Sequence, residues 1–106
     1  MPKYLVQASY TAAGAQGLMK EGGTKRRAAV EAMMNGLGGK VEAFYFAFGD
    51  ADAFVIVDGP DNVTAAAASL AVNASGAAST KTTLLLTAEE MDQAAKKSVN
   101  YRAPGK

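Results

Sequence analysis

Tyr4 to Tyr10 (YLVQASY) is short, β-rich and alternates in part between apolar and polar residues, which predicts a first strand. Tyr4 and Tyr10 fall on one face of it, Gln7 and Ser9 on the other. Thr11 is placed to cap a helix from about Ala12 to Lys20, which Gly22-Gly23 interrupts. Thr24 is a second N-cap candidate. Behind it Ala29, Val30, Met33, Met34 and Leu37 recur at helical spacing, so a second helix is expected over 25–35. The glycines at 36, 38 and 39 end it. Lys40–Phe48 (KVEAFYFAF) reads as the second strand, Gly49–Asp52 as a tight turn, and Ala53–Asp58 (AFVIVD) as the third strand. So short a connection predicts an antiparallel hairpin. Pro60 closes it, and Asp61 can cap a helix whose Val63, Ala66, Ala67, Leu70 and Ala74 keep helical spacing. Thr80–Leu86 is the fourth strand. Thr87 and Glu90 form a capping box for a last helix to about Lys97. Residues 1–97 are expected to be one domain, and 98–106 a flexible C-terminal tail.

The order β-α-β-β-α-β with a terminal helix predicts an α+β fold, the ferredoxin-like split βαββαβ sandwich. A parallel flavodoxin-like sheet is the alternative, but the Phe48–Ala53 connection is too short for a parallel crossover. Two layers cover only one sheet face, and the other should then turn polar. Strict alternation instead puts Val41, Ala43, Tyr45 and Ala47 on one face of strand two, and Phe44, Phe46 and Phe48 on the other. Both faces are apolar. The expected solution is sheet-to-sheet packing with an identical subunit, as a homodimer or higher homo-oligomer. The other way to cover the face is the C-terminal helix, through Met91, Ala94 and Ala95.

Composition narrows the chemistry. The 106 residues include no His, Cys or Trp. Zinc, copper and haem sites built on His or Cys are excluded, as are disulfides and Ser–His–Asp or Cys–His catalysis. No metal and no cofactor is expected. The net charge of +1 gives no basic field for nucleic acid. No apolar run approaches a membrane span, so a cytoplasmic protein is expected. Ala numbers 23 and Gly 11, so about a third of the side chains are tiny and leave little bulk for a core.

The segments PKYLVQASYTAAGAQGLMK, LGGKVEAFYFAFGDADAFVIVDGPD and KTTLLLT, in this order and spacing, resemble the GYD-domain family. That family's signature is a Gly-x-Tyr-Asp turn between strands two and three, followed by a Pro-Asp pair. Gly49, Asp52, Pro60 and Asp61 match it, while Ala51 stands where the Tyr is expected. The resemblance implies a dimeric α+β barrel and brings no established activity. Architectures similar to it include cofactor-independent monooxygenases, lactone isomerases and amino-acid-sensing domains.

The residues left for chemistry are few. Asp50 and Asp52 share the hairpin turn, where they act as acid and base or simply bond their own backbone. Gln7, Ser9, Lys81 and Thr83 are expected to form a polar cluster, since strands one and four neighbour each other in this fold. Lys81 is either an anion-binding group or a guard on an edge strand. Tyr4, Tyr10 and Tyr45 are ligand-orienting phenols or core aromatics. Lys25-Arg26-Arg27 is an anion site or a solvated face with Arg27 opposite Glu31. The expected function is binding of a small, partly apolar molecule, with Gln7, Ser9, Tyr45, Lys81 and Thr83 as ligand contacts. One alternative is a cofactor-independent isomerase or monooxygenase using Asp52, Lys81 or Tyr10. Another is an assembly module without a ligand.

Overall fold

The alternating segment at the start of the chain forms β1 (Lys3–Tyr10). The computed structural model describes residues 1–106 and continues with α1 (Ala12–Glu21), α2 (Gly23–Gly36), β2 (Lys40–Phe46) and β3 (Ala53–Asp58). Then come α3 (Asn62–Ala74), β4 (Ala78–Leu85) and α4 (Ala88–Lys96). The four strands make one sheet in the order β2-β3-β1-β4, with every pairing antiparallel. This mixed α+β arrangement is compatible with the ferredoxin-like sandwich expected from the sequence.

The helix ends follow local chemistry. The Thr11 hydroxyl accepts from the Gly14 N–H at 3.2 Å and donates to the Gly76 carbonyl at 2.8 Å. It thus caps α1 and ties it to the turn before β4. An Asp61 carboxylate oxygen accepts from the Thr64 N–H at 2.7 Å and caps α3. The Thr87–Glu90 capping box opens α4, its two bonds 2.9 and 3.1 Å long. Thr24 is not a cap: it lies inside α2, and the break between α1 and α2 is made by Gly22 alone. Gly22 has φ +85°, a conformation open to glycine, so one residue suffices to redirect the chain.

Strand register corrects one expectation. Val41 pairs with Val57, but the next pair is Ala43 with Ile56, which leaves Glu42 as a bulge. The extra residue shifts the alternation, so Val41 joins Phe44 in the core instead of facing away from it. Glu42 reaches Lys3 Nζ at 2.9 Å, and Asp58 accepts from the same nitrogen at 2.8 Å. β2 also ends earlier than expected, at Phe46, and Phe48 is fully exposed in the loop beyond it.

The helices α2 and α3 cover one sheet face, α2 beside β2 and α3 beside β4. Between them and the sheet sits a cluster of Tyr4, Met34, Val55 and Val57. Only 8 of the 106 residues are buried, a small core for a chain of this length. The radius of gyration is 16.9 Å, against roughly 13 Å for a compact domain of about this size. Every residue of α4 is exposed, Met91 at 55%, so α4 does not cover the second sheet face. No helix is long and apolar enough to cross a membrane.

Candidate functional site

Small side chains hollow out the space between the helices and the sheet. Ala53, Ala8 and Thr80 lie side by side across β3, β1 and β4. α3 turns Ala65 and Ala68 toward this row. Neither layer carries the bulk to meet the other, and a cleft of about 80 Å³ remains. At roughly 10–15 Å³ per water centre this is room for several waters, or for a small organic molecule. Tyr4, Val6, Val55 and Val57 complete the floor, and Val72 extends the α3 wall. Phe44, Met33 and Met34 line the cleft without filling it.

Polar side chains are a minority of the lining, and those on the α3–β4 side bond to one another. Ser69 and Thr80 share a hydrogen bond of 3.1 Å, and Asn73 Nδ2 donates to Thr80 Oγ1 at 2.9 Å. The Thr80 N–H donates to Asn73 Oδ1 at 2.9 Å, which locks α3 onto β4. Arg26 carries the one buried side-chain polar atom left without a partner. It lines the cleft from α2, forms no salt bridge, and its Nε is shielded from water with no hydrogen-bond partner. Its two neighbours behave differently. Lys25 and Arg27 are exposed, and Arg27 Nε lies 3.9 Å from Glu31, the surface pair expected from the sequence.

Read from the sequence as one basic run, Lys25-Arg26-Arg27 does not single out Arg26. A signal was available. The apolar stripe of α2, extended one turn toward its start, runs through 26, 30, 33, 34 and 37. A cation on the inward stripe of an amphipathic helix is therefore visible in the sequence.

The expected ligand contacts lie elsewhere. Tyr45 pairs with Phe54, Phe54 with Gln7, and Gln7 with Lys81, forming one row across the open face. Ser9 and Thr83 share this face, opposite Ser79 and Leu5. The four polar residues of β1 and β4 are thus brought together as neighbours, with Tyr45 at the far end of the row. None of them lines the cleft, and Tyr45 is 72% exposed. Tyr10 does line the cleft. Asp52 does not: its Oδ2 accepts from the Tyr10 N–H at 2.8 Å, and its own N–H donates to the Ala8 carbonyl at 2.8 Å. These bonds pin the hairpin loop to β1. Asp50 is exposed in the same loop, and Ala51 between them is buried.

Hydrogen bonding shifts titratable groups at two places outside the cleft. Hydrogen bonding to Lys3 holds the Asp58 carboxyl below its ordinary pKa, and Asp58 and Glu42 together raise that of Lys3. The Asp61 carboxyl is lowered by the Thr64 N–H it caps.

The family model of the GYD domain matches residues 4–95, so the chain belongs to the GYD-domain family. No curated protein and no solved structure matches it.

Proposed function

We propose that this GYD-domain protein binds a small, apolar-bodied molecule in the cleft between α2, α3 and the sheet, as a subunit of a homodimer. The observation that carries the binding reading is the cleft itself. Its wall and floor are apolar, and alanines stand where a packed core would place bulk. An assembly module needs no such space, and the aromatic side chains that line it, Tyr4, Tyr10 and Phe44, leave it open. Phe48 is outside the sheet altogether.

The dimer reading rests on the open face. Tyr45, Phe54 and Ile56 form its apolar half, and Gln7, Ser9, Lys81 and Thr83 its polar half. A two-fold axis through the sheet buries the apolar half of each copy and leaves the polar strip at the seam. The small core and the unpacked α4 support the same reading, because a second copy supplies the missing layer.

Binding of 1-hexanol, followed by methyl NMR, tests the cleft. Signals from Val55, Met33 and Ala53 shift on titration, and Ala68→Leu, which fills the space, abolishes the shift. A wild-type spectrum unchanged by 1-hexanol overturns the binding reading. Native mass spectrometry tests the assembly. The wild type runs at twice its 10.9 kDa subunit mass, and Ile56→Lys runs as a monomer. A monomeric wild type overturns the dimer.

A further inference from the structure

We infer that the cleft is built for a carboxylate, with the guanidinium of Arg26 as its anion-binding group. This rests on the reading of the cleft as a ligand site and names the class of ligand. Arg26 stands on the inward stripe of α2, one turn before Val30, with Met33 and Met34 beyond it. An Nε–H removed from water without a partner carries a desolvation cost that nothing in the chain offsets. No carboxylate of the protein lies within ion-pair distance of it. A ligand carboxylate supplies both missing elements: it accepts from Nε and an adjacent Nη in the planar fork geometry of Arg, and it neutralises the charge.

The surroundings select among anions. One guanidinium neutralises one negative charge. A phosphate monoester would bring more charge than that into an apolar cleft and leave the excess without a partner. A monocarboxylate leaves none. The body of the ligand is apolar, because the floor offers Val6, Val55 and Val57, and it is short, because the cleft is about 80 Å³. The polar atoms of Ser69 and Thr80 are already bonded to one another and to Asn73, so they do not demand a hydroxylated ligand. The class is a short-chain or small aromatic monocarboxylate.

Hexanoate and 1-hexanol, matched in chain length, separate this inference from the reading beneath it. Each is titrated at pH 7 into the wild type, Arg26→Met and Lys25→Met, with affinity and the Arg26 Nε–H resonance followed by NMR. The wild type binds hexanoate at least tenfold more tightly than 1-hexanol, and hexanoate moves the Arg26 Nε–H signal. Arg26→Met brings the two affinities together, whereas Lys25→Met, outside the cleft, leaves both as in the wild type. Equal affinities for the two ligands in the wild type overturn the carboxylate site and leave the cleft reading standing. So does an Nε–H signal that stays still under saturating hexanoate, a readout that does not depend on the variant folding. Failure of both ligands to bind overturns the cleft reading itself.

Discussion

Gly14 and Gly17 lie one turn apart in α1, and replacing each by alanine should move stability in opposite directions. Helix propensity alone favours both substitutions by about 1 kcal/mol. At Gly17 nothing lies within 4 Å of the new Cβ, so the gain stands. At Gly14 the Cβ falls 1.9 Å from the Ala77 carbonyl oxygen and 2.9 Å from its carbon. An ordinary carbon–oxygen contact is about 3.3 Å or longer, so α1 and the turn before β4 must part by more than an ångström. Both are backbone, and neither yields like the end of a side chain. The same approach carries the Thr11 N–H bond to the Ala77 carbonyl at 3.0 Å and the Thr11 hydroxyl bond to the Gly76 carbonyl at 2.8 Å. Losing these costs about 0.5–1.5 kcal/mol each, and the overpacking adds about 1–3 kcal/mol. Set against the propensity gain, Gly14→Ala is destabilised by about 1–5 kcal/mol, and Gly17→Ala is stabilised by about 0.5–1 kcal/mol. Urea unfolding followed by far-ultraviolet circular dichroism, at one protein concentration, reads both as shifts of midpoint at constant slope. A Gly14→Ala protein as stable as the wild type would refute the close approach of α1 to Ala77. Equal shifts in both variants would refute the reasoning that space, not propensity, decides at this helix.

Two further outcomes follow from the hydrogen bonds. Asp52→Ala leaves the half-buried Tyr10 N–H without its acceptor and should lower the urea midpoint by the equivalent of about 1–3 kcal/mol, while Asp50→Ala stays within about 0.5 kcal/mol. Equal effects of the two would remove the structural role given to Asp52. The Asp58 carboxyl is held below its unfolded-state pKa, so its bond to Lys3 contributes stability above the ordinary carboxylate range and loses it as pH falls through the folded value. Wild-type stability should therefore decline on acidification below about pH 4, and Asp58→Asn should decline less. Parallel pH profiles for the two proteins would show that the ion pair does not couple to folding.

The local rules in the sequence determined the elements. Alternation at Tyr4–Tyr10 and the caps Thr11, Asp61 and Thr87 each act over a few residues. Such short-range preferences survive in any tertiary setting, and the antiparallel hairpin and strand order follow from them with little freedom. The neighbourhood of Gln7, Ser9, Lys81 and Thr83 was legible for the same reason, since strand adjacency and a period of two fix which residues share a face.

Tertiary structure decided what those rules cannot reach. The bulge at Glu42 moved Val41 into the core, because register is set by pairing with β3 and by the pull of Lys3, not by β2 itself. Asp52, free in the sequence to serve as an acid or base, is engaged by a backbone N–H 42 positions away. The cleft has no sequence signature, because it is a deficit: Ala8, Ala53, Ala65 and Ala68 come from three elements, and only their superposition leaves a space. Arg26 shows both halves of the lesson. Its place on the inward stripe was written in the period of α2, but its lack of a partner depends on every side chain that the fold did not bring to it.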